Sequence, residues 1–227
     1  MSTTGRRGDD IEPTFGGGGD EPYASALRSD GMLILRADDR PDDVEEFDVG
    51  RWSAAADEVD LALFSDVDGP VIDLGCGPGR MLVAARSLGL PALGVDLSAE
   101  AVRVARQSGM DVLLGSVFDA VPDEGHWDTA FLIDGNIGIG GDPARLLARS
   151  REIVREGGSV IVETNPDHGA DRRFFATVTD HDGRSSARFP WAATGQGPLA
   201  DYATAAGFRV HSAWATGTRS FTRLVSR

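Results

Sequence analysis

The stretch Val71-Ile-Asp-Leu-Gly-Cys-Gly-Pro-Gly-Arg80 places a carboxylate, Asp73, in a short apolar run with three glycines directly behind it. A strand that ends at Leu74 and turns through Gly75, Gly77 and Gly79 into a helix offers a ligand bare backbone amides and a helix N-terminus, because no Cβ blocks the approach. Dinucleotide sites use the same device, but their glycines fall as G-x-G-x-x-G; here the pattern is G-x-G-x-G, with Arg80 in the sixth slot. A second carboxylate, Asp96, closes another apolar run 21 residues after Gly75. A carboxylate at such a strand tip can accept both hydroxyls of a ribose, which suits any adenosine cofactor. It could equally neighbour a helix cap at Ser98. Together the two features point to an adenosine ligand.

The remaining composition removes several chemistries. The 227 residues include no lysine, so a Schiff-base lysine, a phosphate-loop lysine and a lysine general base are all ruled out. The single cysteine, Cys76, can form neither an internal disulfide nor a cysteine-rich metal site, and it fits a reducing, cytoplasmic setting. With 22 basic against 36 acidic residues the formal charge is −14, which repels a phosphate backbone, so nucleic acid is not an expected partner. No run of about 18 apolar residues occurs and the N-terminus carries no apolar signal core, so neither membrane insertion nor export is expected. Of the four histidines, His126 precedes a strand at its amino end and His211 alternates within a late strand. His168 and His181 fall where a ligand could reach them, yet each taken singly reads as a surface residue.

Carboxylates at strand tips need strands to carry them. After Pro70, short apolar runs alternate with amphipathic segments, the pattern of a parallel sheet with crossover helices. Strands are expected from Val71 to Leu74, Ala92 to Asp96, Val112 to Gly115, Thr129 to Ile133 and Ser159 to Glu163. Met81, Leu82, Ala84, Ala85 and Leu88 form one helical stripe, and Ala101, Val102 and Ala105 a second. A third helix should start at Asp142-Pro143, a capping carboxylate followed by proline, and stop at Gly157-Gly158. Leu199, Tyr202, Ala203 and Ala206 follow helical spacing and lead into two antiparallel strands, Phe208 to Trp214 and Ser220 to Val225.

Two regions stand outside this alternation. Residues 165–197 read as an inserted hairpin turned at Asp182-Gly183, placed where such folds build ligand selectivity. At the other end, residues 1–20 are polar, carry the run Gly16 to Gly19 and read as a disordered tail. Residues 21–66 combine an apolar run (Met32 to Leu35), an acidic patch (Asp38 to Asp48) and a helical pattern with Trp52, Val59, Leu63 and Phe64. They read as an N-terminal cap rather than part of a sheet, which leaves residues 67–227 for the main domain.

The order of motifs resembles a known family. "VIDLGCGPGR", "ALGVDLSAEAV", "GSVFD" and "WDTAFLIDG" are together similar to the class I S-adenosylmethionine-dependent methyltransferases, over about Asp68 to Glu163, with the last two strands agreeing by topology. The resemblance implies an α/β fold: a doubly wound, mostly parallel seven-stranded Rossmann-like sheet with an antiparallel C-terminal strand. It implies S-adenosyl-L-methionine as cofactor, with Asp73, Gly75, Cys76, Gly77, Pro78 and Gly79 around the methionine moiety. Asp96 would hold the ribose, with Leu97 beside the adenine. In the segment that begins Gly115-Ser116, Val117 and Phe118 would flank the adenine and Asp119 would accept from its exocyclic amine. The backbone at Asp134 and Gly135 should pass near the sulfonium. Two competing readings stand beside this one. The first is an NAD(P)-dependent oxidoreductase, against which the shifted glycine and "GSVFD" count; the second is a non-catalytic S-adenosylmethionine-binding protein.

Methyl transfer from a sulfonium is an in-line displacement in which the enzyme mainly aligns donor and acceptor and excludes water. The stretch "DGNIGIGGDP" supplies Asp134 and Asn136 as candidate catalytic residues, while Asp142 reads as a helix cap. It lacks the two prolines and aromatic of adenine-amino methyltransferases and the cysteine of cytosine carbon-5 enzymes. No metal is expected, because the carboxylate and amide spacing does not reproduce a magnesium cluster and zinc ligands are too few. The expected acceptor is a small molecule methylated on oxygen or nitrogen. Tyr23, Arg51 and Trp52 near the N-terminus, with Arg172, Arg173, Phe174, Phe175, Phe189 and Trp191 in the insertion, offer aromatic walls and cations for an acidic or phenolic compound. The lysine-free, arginine-, alanine- and glycine-rich composition resembles that of high-GC actinobacteria, in which such enzymes often serve secondary metabolism.

Overall fold

The computed structural model describes residues 14–17, 22–29 and 31–227. Of the tail expected over residues 1–20, Thr14 to Gly17 is a turn, with the Gly17 amide donating to the Thr14 carbonyl at 3.1 Å; the rest lies outside the described residues. The chain then runs through α1 (Pro22–Ser29), β1 (Met32–Ala37), β2 (Arg40–Asp48), α2 (Val49–Ser53) and α3 (Glu58–Ala62). From there strands and helices alternate: β3 (Val71–Leu74), α4 (Arg80–Ser87), β4 (Ala92–Asp96), α5 (Ala99–Gln107), β5 (Val112–Leu114) and β6 (Trp127–Leu132). A 3₁₀ turn (Asn136–Gly141) leads into α6 (Pro143–Ile153) and β7 (Val154–Thr164). The insertion contributes β8 (Asp171–Asp180) and β9 (Phe189–Thr194), and the chain closes with α7 (Gln196–Ala205), β10 (Phe208–Thr216) and β11 (Arg219–Ser226).

Seven strands form the main sheet in the order β10-β11-β7-β6-β3-β4-β5. The central strand β3 pairs in parallel with β4 (Val71 opposite Ala92) and with β6 (Val71 opposite Thr129), whereas β10 and β11 run antiparallel to their neighbours. The sheet is covered on both faces, so its strands are apolar on both, and alternate residues feed two different cores. Ile72, Leu74, Ala130, Leu132, Val160 and Val162 pack with Leu146 and Leu147 of α6 and Leu199 and Ala203 of α7. Val71, Phe131, Ile133 and Ile161 pack on the other face with Leu63, Phe64, Met81 and Ala85. Burying each such large side chain contributes roughly 1.5–3 kcal/mol.

Three expectations need correction. Leu88 does not join the buried stripe of α4: the helix ends at Ser87, Gly89 turns back at φ +77°, and Leu88 is 52% exposed. The helix opened by Asp142, whose carboxylate accepts from the Ala144 and Arg145 amides, stops at Ile153 rather than at the glycine pair, because β7 already begins at Val154. The largest correction concerns residues 32–48, which are strands. β1 and β2 join the inserted hairpin in a second, four-stranded antiparallel sheet of order β2-β1-β8-β9, with Leu35 opposite Val178. Leu33, Leu35 and Ala37 point inward in β1, an alternation hidden by the unbroken apolar run Met32 to Leu35. The acidic β2 is this sheet's edge, where charge protects an unpaired strand from further pairing. The strand β9 carries this second sheet onto the 3₁₀ turn. A Cβ on Gly138 would lie 2.3 Å from the Ala192 carbonyl and 2.7 Å from the Trp191 ring, so the glycines of this turn are what allow the close approach.

Candidate active site

The turn after β3 runs where the two strand-tip carboxylates meet. Gly75 adopts φ +82°, and a Cβ there would stand 2.7 Å from Asn136 Nδ2. Asn136 occupies that space for a reason: its amide donates to the Leu74 carbonyl at 3.1 Å and to the Gly75 carbonyl at 2.8 Å, clamping the turn to the chain that leaves β6. Asp96 holds the other side. Its Oδ2 accepts from the Gly77 amide at 2.8 Å and its Oδ1 from the Ser98 amide at 2.7 Å, while Ser98 caps α5 through the Ala101 amide. Burial raises the Asp96 carboxyl, and the two backbone hydrogen bonds oppose that rise. Asp73 is only 3% exposed. Burial, then the nearby Asp134 charge, lifts its carboxyl from the usual 3.8 to about 8, with Arg80 pulling the other way. Tyr23 of α1 is buried in the same hollow, its hydroxyl over Gly77, and burial with the Asp96 charge raises the phenol well above its ordinary value. Burial likewise raises the Cys76 thiol, which excludes a reactive thiolate.

Asp134 is held by a closed ring of charges. It is a non-glycine residue at φ +55°, a conformation that costs on the order of 1–3 kcal/mol and persists only where the surroundings impose it. Its amide donates to Glu163 Oε2 at 2.9 Å, and its carboxylate lies 2.8 Å from Arg80 Nη2. Arg80 Nε also sits 3.0 Å from Asp60 Oδ2, a close ionic contact without hydrogen-bond alignment. Asp60 pairs at 2.7 Å with Arg219, and Arg219 grips both oxygens of Glu163 at 2.8 Å. Although 26% of the Asp134 side chain opens onto the hollow, it lies deep in the fold, and burial raises its carboxyl against the pull of Arg80. Arg80, Asp60, Glu163 and Arg219 were not singled out from sequence; they come from α3, α4, β7 and β11 and meet only in three dimensions.

These groups line one cavity with about 1030 Å³ of non-atom space, its open mouth included. It brings together Asp73, Gly75, Cys76, Gly77, Pro78, Asp96, Leu97, Val117, Asp134 and Asn136. Gly79, Ser116, Phe118, Asp119 and Gly135 are not among its lining residues. Phe118 lies under the Arg145 guanidinium at 4.1 Å and against Gly140, and exposed Asp119 accepts from the Ser116 amide at 3.0 Å. The far wall is built by Phe15, Leu35, Phe47, Trp52, Pro190 and Trp191. The arginines expected there point elsewhere: Arg172 pairs with Asp39, Arg173 with Asp142 and Arg51 with Asp57. None of the four histidines lines the cavity. Among the described residues no cluster of three metal-ligating side chains occurs, and no helix is long and apolar enough to cross a membrane.

The chain matches the methyltransferase domain family over residues 47–213 and belongs to that family. It is a methyltransferase of class I, the S-adenosylmethionine-dependent kind. An S-adenosylmethionine-dependent methyltransferase from Bacteroides fragilis, solved with S-adenosyl-L-homocysteine, is 18% identical with a TM-score of 0.74, covering 91% of this chain and 95% of that one. The 1,6-didemethyltoxoflavin-N1-methyltransferase of Burkholderia thailandensis is 19% identical at a TM-score of 0.58, covering 79% and 81%. The CcbJ methyltransferase of Streptomyces caelestis is 14% identical at 0.60, covering 78% and 92%. No curated protein matches the chain by sequence. At these identities the solved structures share the fold.

Proposed function

We propose that this chain moves the methyl group of S-adenosylmethionine to oxygen or nitrogen of a small molecule, with a role in secondary metabolism. The observation that carries the reading is a single cavity with two unlike ends: a bare glycine turn flanked by carboxylates, and an apolar aromatic chamber beyond Asp134. The first end fits the cofactor, whose ammonium and sulfonium are cations and whose ribose offers two hydroxyls to Asp96. When bound, the cofactor supplies an electrophilic methyl group. In this reading Asp73 meets the ammonium, Asn136 keeps the turn in shape, and Asp134 stands beside the acceptor to orient its nucleophilic atom or take its proton. The apolar rings of the chamber would shield the transfer from water once an acceptor fills it. The 1,6-didemethyltoxoflavin-N1-methyltransferase among the similar structures was solved with 1,6-didemethyltoxoflavin and S-adenosylhomocysteine bound, which supports a small-molecule acceptor. Incubation with S-adenosylmethionine and a panel of hydroxylated and aminated metabolites should yield S-adenosylhomocysteine above the blank. Tight NADH binding with no response to S-adenosylmethionine would overturn the reading.

The raised Asp73 carboxyl makes binding depend on pH. A neutral carboxyl cannot pair with an ammonium, so binding must first expel a proton from a group that titrates near 8. The affinity for S-adenosylhomocysteine should therefore rise up to about tenfold per pH unit between pH 6 and 8 and then level off. Stability of the protein without cofactor runs the opposite way. The folded chain holds a proton that the unfolded chain releases, so this contribution is full at low pH and is lost between about 4 and 8. Calorimetric titrations at pH 6, 7 and 8 measure the first effect, and an affinity constant across them removes Asp73 from the ammonium site.

A further inference from the structure

The two ends of the cavity differ most in charge. Asp73, Asp96 and Asp134 crowd the turn, whereas the far chamber is walled by rings and aliphatic side chains, with no unpaired cation among the described residues that line it. The chain itself shows what this chamber accommodates. The ring of Phe15 stands among four others: Tyr23 at 5.0 Å, Phe189 at 5.6 Å, Trp191 at 5.8 Å and Trp52 at 6.3 Å between centroids, the contacts ranging from tilted to edge-on. Those are favourable separations for aromatic packing, which adds about 0.5–1.5 kcal/mol per pair beyond burial. Phe15, Trp52 and Trp191 all face the remaining open space.

Charge decides among possible guests. An anion would leave water for a chamber in which Arg80 is already taken by Asp60 and Asp134, and in which Arg172, Arg173 and Arg188 are turned outward to Asp39, Asp142 and Asp38. A protonated amine could rest on the ring faces. It would, however, be repelled by the sulfonium, and it has no lone pair to accept a methyl group. We infer that the acceptor is an uncharged aromatic ring bearing a hydroxyl or amine, received against Trp52 and Trp191, and that these two tryptophans set its specificity. The inference rests on the cofactor reading above and names the acceptor class for the same site.

The test uses 2-naphthol as probe, with 2-naphthoate and decahydro-2-naphthol as controls, titrated calorimetrically into the full chain with and without S-adenosylhomocysteine. 2-Naphthol should bind at least tenfold more tightly than each control. Trp191→Leu and Trp52→Leu should each weaken 2-naphthol at least tenfold while leaving the affinity for S-adenosylhomocysteine within twofold, and Trp191→Phe should restore most of the loss. Equal or tighter binding of the anion or the saturated alcohol overturns the inference, as does an unchanged affinity in both leucine variants. Failure of S-adenosylhomocysteine to bind would count against the cofactor reading instead. The titrations without cofactor still decide the ring preference in that case.

Discussion

Asp96→Ala is expected to weaken S-adenosylhomocysteine binding by roughly a hundredfold, because the two charge-assisted hydrogen bonds proposed between Asp96 and the ribose would be lost together. The geometry explains why one residue can matter that much. A carboxylate has about four acceptor positions. Two are used by the Gly77 and Ser98 amides, which leaves one on each oxygen for a sugar hydroxyl. The same two amides aim the group, so little ordering is needed on binding. Alanine would also orphan the Gly77 amide and loosen the turn proposed to carry the cofactor. Calorimetric titration of the folded variant measures the effect, with a melting curve to establish the folded fraction. An affinity within threefold of the parent would show that Asp96 is only a helix-capping neighbour and would remove the strongest support for the adenosine site.

The second large effect concerns stability. Arg80→Met removes a guanidinium whose side chain is 4% exposed, strips one oxygen of Asp60 of its countercharge and leaves Asp134 with only the longer Arg219 contact at 3.9 Å. Breaking one partner of a buried pair costs about 3–5 kcal/mol, since the remaining charge has lost its compensation. Urea denaturation at pH 8 should show a loss of that size. The deficit should shrink as the pH falls: the Asp134 carboxyl is already raised by burial, and without Arg80 it rises further, so the folded variant takes up a proton that the unfolded chain does not. Adding Asp134→Asn should recover part of the loss by removing the stranded charge. A deficit below about 1 kcal/mol at pH 8 would mean that the ring of charges contributes little to holding Asp134 in its left-handed conformation.

Much of the main sheet was legible because its signals are local. Val71 to Leu74 followed by a glycine turn, and Asp142-Pro143 before an amphipathic helix, each contain within a few residues the group that terminates one element or starts the next. The second sheet was not legible for the opposite reason. β1 finds its partner β8 about 140 residues away, its alternation is masked by four consecutive apolar residues, and neither N-terminal strand has a local reason to be extended. The N-terminal region read as a cap and the insertion read as a separate hairpin therefore contribute their strands to one sheet, and it is this sheet that supplies Leu35, Phe47, Pro190 and Trp191 to the cavity.

The site divides along the same line. Sequence by itself determined the glycine turn and the two carboxylates at the strand tips proposed to hold the cofactor, because a turn that needs bare backbone is written in glycine and a strand tip that needs charge is written in an acidic residue. Only the tertiary structure decided the rest. Asn136 proved to be bonded to the turn, the arginines expected to face an acidic acceptor proved to be paired outside the cavity, and Asp134 proved to be held by Arg80, Asp60, Arg219 and Glu163. A buried charge is tolerated only beside its counterpart, and which counterparts come within 3 Å is set by how distant segments pack.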